Sequence, residues 1–508
     1  MSFRAGAAAA NVDPPLGLEM VGVVRRVEPA MDRLGPLEVT AAAFEHGSTR
    51  VVLCGVDTAL IQSPEADELR RRIQIETGAE RAGILLNWNH THHAPPGGRT
   101  LLGWGGAPET ESSDAVLDYI ETLHSAIVAT CVRAFDNSHD ALVRWAVGFA
   151  DLSINRRQRD PDGRVTTIGW EPNGVVDQSV PVLQSLRPNG DVIATVVAYG
   201  AHTVTTGVDY LGYSPDYPGP LRDTVRAVTG GECVFLQGAG GNVMPRFAFD
   251  EHLREPRRMG SRLAVEALHA IADRPARPLE IVETSFGSGT TVSLFRALPK
   301  DAAKPTLTAV EEEVVFPLQP LPTLPAIRAE LEEAKRMVAA AEARGAREEE
   351  LRILRFHGLN WAAATEAEIA SGEPRTSVTG SVAAIRIGDG AIVTGPGEVF
   401  TEIGLAVKER SPADVTLYAG YSNGSISYMP TASEYPLGGY EPTYGHKSYM
   451  LPAQVSPETE RLLVETGVRL ACSLFPERSQ PEVDGWLFEG SMPRGLTVVP
   501  WERPPLVS

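Results

Sequence analysis

Short apolar runs that break off at glycine, histidine or aspartate alternate along this chain with segments of helical periodicity, and no unit repeats. That alternation constrains the fold most, because β-α-β order lays strands side by side in sheets that helices cover. Residues 50–57 (RVVLCGVD) read as a buried strand, 64–77 as a helix ending before Gly78, and 83–89 (GILLNWN) as a second strand. Residues 113–135 carry Val116, Ile120, Leu123, Ile127 and Cys131 on one helical face. A strand follows at about 142–153, then 191–200 (DVIATVVAYG) and 232–237 (ECVFLQ), with a helix at 257–273. Residues 380–394 read as a hairpin around Gly388-Asp389-Gly390. The expected class is α/β, with mixed β-sheets covered by helices.

The 508 residues suit about three ordinary domains, or one large domain with insertions. We expect the second: one catalytic domain over 1–455, then a helix and tail over 456–508. Within it, 300–325 is Pro-rich, and 326–355 is rich in Ala, Glu and Arg with i,i+4 acid–base pairs. We read 300–370 as an insertion. The net charge of −19 argues against nucleic acid and anionic lipid surfaces as partners. The four cysteines form no CxxC pair, and Cys54, Cys131 and Cys233 sit in apolar runs as small buried hydrophobes. The N-terminus (MSFRAGAAAANVDPP) lacks the apolar core of a signal peptide. No window approaches roughly 18 uncharged apolar residues, so no membrane-spanning helix and a cytoplasmic location are expected.

Five segments can carry chemistry. In Asn89-His90-Thr91-His92-His93-Ala94-Pro95-Pro96-Gly97-Gly98, His90 and His92 share a face if the strand continues, and His93 points away. Clustered imidazoles at a strand end suit a metal site, zinc being a common guest, or a proton shuttle. His202 repeats the pattern, strand and then His-Thr, at a strand's carboxyl end. Gly238-Ala239-Gly240-Gly241-Asn242 is a glycine turn whose N–H groups can bind an oxyanion, with Asn242 placed to orient a substrate. Gly395-Pro396-Gly397-Glu398 puts a carboxylate at an apparent helix start. Finally, Tyr418, Tyr421, Tyr428, Tyr435 and Tyr440 lie among glycines, like a pocket wall. Asp57 could hold a ligand histidine in its tautomer, and Arg156 could bind a substrate carboxylate; a buried structural ion pair explains both as well.

In this order the segments resemble the N-terminal catalytic domain of the neutral/alkaline (non-lysosomal) ceramidases, as a divergent bacterial-type member. That family's H-T-H-S-G-P-G-G motif corresponds to His90 through Gly97, and its P-G-E-F-T stretch to Pro396 through Thr401. Its N-x-Y-x-x-Y-[IV]-T-T-x-E-E-Y stretch corresponds to Asn423 through Tyr428 and to Glu434-Tyr435. Asn11 through Gly17 and Ile154-Asn155-Arg156 add to the likeness, which runs to about residue 450. The resemblance implies a catalytic zinc held by His90, His202, Glu398 and Tyr428. It implies attack of metal-bound water on the amide carbonyl of a small molecule. His92 would be the acid, the base or the group that orients the water, and Tyr428 a weak ligand or oxyanion donor.

The chain departs from the family at its G-D-[VI]-S-P-N loop, which here reads Gly241-Asn242-Val243-Met244-Pro245-Arg246. Met244 cannot donate or attack, so no serine assists at this position. The family's immunoglobulin-like C-terminal domain has no counterpart before Ser508. We therefore expect a substrate other than membrane ceramide, smaller or more polar, and leave a homo-oligomer open. Three rivals stand beside this reading. Gly420-Tyr421-Ser422-Asn423-Gly424 fits the G-x-S-x-G of a serine hydrolase or esterase, although the prolines and glycines that follow do not suit its helix. The same zinc could serve a lyase or isomerase with His92 as base. A non-catalytic binding scaffold is the third.

Overall fold

The structure, a computed structural model, describes residues 2–101, 114–272, 274, 279–286, 293–299 and 305–478. Three mixed sheets organise it. The first runs, in spatial order, Ile84–Trp88, Thr49–Val56, Glu38–His46, Phe3–Asn11 and His139–Asp140. The second runs Glu232–Gln237, Val192–Tyr199, Ser179–Leu186 and Leu142–Phe149, and the third Leu307–Pro317, Ser377–Ile387, Gly390–Thr394 and Val415–Ala419. Each sheet holds one parallel pair: Thr49–Val56 with Ile84–Trp88, Val192–Tyr199 with Glu232–Gln237, and Gly390–Thr394 with Val415–Ala419. Each pair is joined through a helix, Ser63–Thr77, Pro218–Thr229 and Thr401–Arg410 in turn. The other pairings in these sheets are antiparallel.

The alternation of side chains along each strand sends one apolar set inward between the sheets. Phe44, Leu53 and Leu85 of the first sheet meet Val196 and Leu236 of the second and Ile392 and Leu417 of the third in one buried cluster. Each such side chain contributes about 1.5–3 kcal/mol on burial. The opposite faces are covered by helices, including Asp114–Asp136 on the alanine-rich strand Phe3–Asn11. That helix is long and apolar enough to cross a membrane by composition alone, contrary to the sequence expectation. Its Val116, Ile120, Leu123, Ile127 and Cys131 are buried in the fold, which is why it reads as apolar.

One polar side chain joins the three sheets. Asn87 is fully buried in Ile84–Trp88, and its Oδ1 accepts the backbone N–H of Gln237 (2.7 Å) from the second sheet. Its Nδ2 donates to the carbonyls of Gly420 (2.7 Å), just beyond the third sheet's last strand, and Gln237 (3.2 Å), and to Ser422 Oγ (3.1 Å). Asn423 reinforces the seam, its N–H donating to the Leu86 carbonyl and its Oδ1 accepting the Leu86 N–H.

Several expectations change at this level. The stretch at 142–153 is two strands, Leu142–Phe149 and Ser153–Arg159. The Pro-rich segment contains Leu307–Pro317, which pairs along its whole length with Ser377–Ile387, so it belongs to the domain's own third sheet. The inserted part is Leu324–Ala343, Glu348–Ile353, a π-helical turn over Leu354–Asn360, and Trp361–Ala370. The long helix expected over 326–355 breaks at Gly345, which takes φ 69°. The expected terminal unit also joins the domain, since Glu458–Ser473 packs on the third sheet; residues 479–508 lie outside the described residues.

The insertion seats on residues 446–451. Trp361 Nε1 donates to the Leu451 carbonyl (2.8 Å), and His357 Nε2 hydrogen-bonds Ser448 Oγ (3.0 Å). Lys447 Nζ lies 3.8 Å from the Trp361 ring centroid and pairs with Glu330. Burial, and then the charge of Lys447, push His357 and His446 each down to about 4.

Two predictions follow from this packing. Asn87→Ala leaves a buried N–H and two carbonyls without their partner and is expected to destabilise the protein by about 3 kcal/mol or more, read as the shift of the urea midpoint. Between about pH 6.5 and pH 4 the unfolded chain carries protons on His357 and His446 that the folded protein refuses, so stability present above pH 6.5 is lost as the pH falls. A His357→Asn/His446→Asn variant should show a flatter urea midpoint across that window than the parent.

Candidate metal centre

The carboxyl ends of the three parallel pairs point at one place, where open α/β sheets bind ligands. Beyond Ile84–Trp88 come His90 and His92, beyond Val192–Tyr199 comes His202, and beyond Gly390–Thr394 comes Glu398. Glu398 does not open a helix as expected. It lies in the short strand Glu398–Val399, paired in register with Tyr428–Met429, and the helix begins only at Thr401. Gly241 lets this strand approach, since a Cβ there would lie 2.3 Å from the Glu398 carbonyl oxygen.

His90 leaves its strand with φ 66°, an uncommon turn for a residue with a Cβ. The turn brings His90, His92 and His202 together, with ring nitrogens within 4.8 Å of one another. Glu398 Oε2 stands 3.3 Å from His90 Nε2 and 3.1 Å from His202 Nε2, and His92 Nε2 lies 3.3 Å from His90 Nε2. The far nitrogens fix the tautomers. His90 Nδ1 donates to the Ala59 carbonyl (2.8 Å), and His202 Nδ1 to the Gly240 carbonyl (2.7 Å). A carbonyl only accepts, so each Nδ1 carries a proton, and in the neutral imidazole each Nε2 lone pair faces the carboxylate. His202 Nε2 is buried and makes no hydrogen bond among the described residues.

Three of the four side chains at the centre are buried. His202 is 0% exposed, Glu398 2% and His90 3%, while His92 is partly exposed and opens the cluster to solvent. Gly22, at φ 98°, packs on His92; a Cβ there would sit 2.5 Å from its ring. Burial, with Arg156 second, pushes His202 down to about 4. Burial and the neighbouring imidazoles hold His92 well below its ordinary value. Burial, and then Glu398, push Tyr421, Tyr428 and Tyr449 well above 10, so each stays a neutral O–H.

The tyrosines divide differently from the expectation. Tyr449 Oη donates to Glu398 Oε1 at 2.6 Å, and Tyr421 Oη donates to Oε2 at 3.4 Å. Tyr421 stood out in the sequence only as one of the clustered tyrosines, and Tyr449 had no sequence signal. Tyr428 borders Glu398, but its hydroxyl accepts from Arg156 Nη2 (3.2 Å). Arg156 Nε donates to Glu441 Oε1 (2.8 Å), and Arg157 Nη1 to Oε2 (2.7 Å), so one buried carboxylate holds two guanidiniums. Arg156 Nη1 makes no hydrogen bond among the described residues.

Other expected site residues serve the framework. Asn242 accepts the Thr401 N–H (2.9 Å) and donates to Glu402 Oε2 (2.8 Å), so it fixes the start of the helix Thr401–Arg410. The N–H groups of Gly238 and Gly241 go to the carbonyls of Tyr199 and Val399, and the Gly240 carbonyl takes the His202 proton; the turn positions a ligand and does not form an open oxyanion nest. Asp57 forms a bidentate pair with Arg222 (2.8 and 2.5 Å) and accepts from Asn89, which makes it the structural ion pair. His93 does point away, its Nδ1 facing the Gly212 carbonyl. Ser422 Oγ donates to the Gly420 and Ala419 carbonyls and accepts from Asn87, and a coil rather than a helix follows it.

These contacts fit a cation. Two imidazole lone pairs and a carboxylate oxygen repel one another at 3.1–3.3 Å unless a positive charge stands between them. Two N donors, one O donor and a partly exposed third imidazole make a set that zinc accepts, and both ring N–H groups are anchored on carbonyls as metal-bound histidines usually are. The guanidinium pair behind the site gives a further test. Glu441→Ala strands the buried Arg156 guanidinium, while Arg157 keeps Glu434 (2.5 Å), and should cost about 3–5 kcal/mol, read by chemical unfolding.

No family model matches the sequence, and no curated protein matches it. Solved structures do. Neutral ceramidase from Pseudomonas aeruginosa superposes with a TM-score of 0.63 at 16% identity, over 94% of this chain and 75% of that one. A ceramidase complexed with C2 gives 0.63 at 17%, over 94% and 76%. The chain has the mixed α/β fold of the neutral ceramidases.

Proposed function

We propose that this protein is a zinc-dependent hydrolase that cleaves the C–N bond of a linear amide. The observation that carries the reading is the convergence of His90 Nε2, His202 Nε2 and Glu398 Oε2 on one point, with His92 beside it. The ceramidase fold supports it. When bound, zinc supplies a Lewis acid and a water whose pKa falls to about 7.

The chain's own residues divide the remaining work. His92 is neutral and is the one imidazole of the cluster open to solvent, so it takes a proton from the attacking water and returns one to the leaving amine. Tyr428 Oη has its lone pair on Arg156 and keeps its own hydrogen to donate to the substrate carbonyl oxygen. Arg156 Nη1 is a second donor for that oxygen, held in place by Glu441. Tyr449 holds Oε1 of Glu398 and leaves Oε2 for the metal. The partner in this reading is a small-molecule amide, and the proposed location is the cytoplasm.

The test is metal content by mass spectrometry of the untagged protein beside a His90→Ala/His202→Ala variant, followed by an amide screen with and without chelator. About one zinc per chain is expected, lost in the variant. Amide hydrolysis should fall at least about a thousandfold with chelator, the several kcal/mol that metal polarisation supplies. Metal in neither form would sink the proposal.

A further inference from the structure

His92 is held differently from the two imidazoles beside it. The Nδ1 atoms of His90 and His202 sit on backbone carbonyls, whereas His92 Nδ1 makes no hydrogen bond among the described residues. Its place is set from outside the cluster. Gly22 packs on the ring, and Arg26 Nη1 donates to the His92 carbonyl (2.7 Å). Arg26 Nη2 donates to His93 Nε2 (3.4 Å), so one guanidinium grips two consecutive histidines. Arg26 is buried, and its planar fork bonds both acceptors in fixed directions.

The helical insertion in turn holds Arg26. Arg352, in the helix Glu348–Ile353, donates through Nη1 to the Arg26 carbonyl. The acids Glu19, Glu348 and Glu28 act on the Arg352 charge, two of them from the segment that carries Gly22 and Arg26. The same insertion reaches a second part of the site. His357 and Trp361 bond Ser448 and Leu451, which flank Tyr449, and the Tyr449 hydroxyl donates to Glu398 Oε1. One unbroken helical run, 348–370, therefore touches both places, and its π-helical turn, Leu354–Asn360, lies between Arg352 and Trp361. Such turns are rare and recur at functional sites.

We infer that Arg26 and Arg352 are positioning residues for His92, and that the insertion is a brace whose seating fixes this imidazole against the metal centre. The inference rests on the reading of His92 as the group that moves the proton. Proton transfer needs that group within hydrogen-bond reach of the reacting atoms, so a ring that wanders loses rate. His90 and His202 have carbonyl anchors of their own, so releasing Arg26 does not release them. The brace thus acts on the rate of the reaction and not on retention of the metal.

The experiment follows carbethoxylation of His92 by diethyl pyrocarbonate in the intact chain as purified, read by peptide mass spectrometry, for the parent, Arg352→Ala and Arg352→Lys. The reaction reports how freely the His92 ring leaves its place and needs no substrate. Arg352→Ala should raise its rate about two- to tenfold, the loss of one hydrogen bond. Arg352→Lys keeps one N–H for the Arg26 carbonyl and should bring the rate back towards the parent's. In the zinc-loaded protein Arg352→Ala should lower kcat for the amide about ten- to a hundredfold, with KM within about twofold and metal content unchanged. A His92 rate that Arg352→Ala does not change overturns the brace, as does a loss of activity carried by KM alone. Should no amide be turned over, the hydrolase reading falls, and the His92 rate still decides whether the insertion holds this ring.

Discussion

The carboxamide of Asn87 is the contact on which the architecture turns. The three sheets pack their apolar faces together, and strand ends from each meet at Asn87, where backbone groups lie beyond the reach of their own ladders. Buried N–H and C=O groups without partners are costly, so three sheet ends cannot meet through apolar side chains alone. An asparagine is short enough to lie between strands and carries both an acceptor and donors. Asn87 uses all of them, on Gln237 of the second sheet and on Gly420 and Ser422 beyond the third. The apolar side chains between the sheets supply most of the burial energy, but they would tolerate sliding. The amide sets the register.

That register decides the chemistry. His90 is three residues from Asn87, and Tyr421 and Asn423 flank Ser422, so the same seam fixes where the imidazole and the phenol stand. Glu398 is then placed among nitrogen lone pairs with Tyr449 and Tyr421 on its oxygens. The arrangement is electrostatically unfavourable on its own, and a protein retains such strain where a ligand relieves it. The buried Arg156, Arg157, Glu441 and Glu434 pair with one another behind the site without occupying it.

Much of this was readable along the chain because local periodicity and local motifs carry it. The strands 50–57, 83–89, 191–200 and 232–237 and the helices 64–77 and 113–135 stand close to their expected bounds, since apolar spacing alone specifies them. His90, His92 and His202 were visible as histidines at strand ends, and they do meet. Leu307–Pro317 was missed because its prolines and charges mask a strand whose partner lies some seventy residues further on. Asn242 was misjudged because a polar residue after a glycine turn looks free to act until the helix it caps is placed beside it. Tyr449 carried no signal, as its partner Glu398 is distant in sequence and its neighbours look like any loop.

By itself the sequence determined the class of fold, the extent of many of its strands and helices and the residue types that could hold a metal, because these depend on neighbours within a few turns of chain. It also ruled out serine chemistry at Met244, since side-chain chemistry needs no structure. Only the tertiary structure decided which tyrosines reach Glu398, that Arg156 is held by a carboxylate, that Asp57 and Ser422 belong to the framework, and that Met244 packs with Ile154 and Val204. Those facts depend on contacts between strand ends far apart in the chain. The physical reason is the burial of the carboxyl ends of three parallel pairs at one point: a side chain's role there is set by which donor, acceptor or apolar surface the other two sheets bring to it.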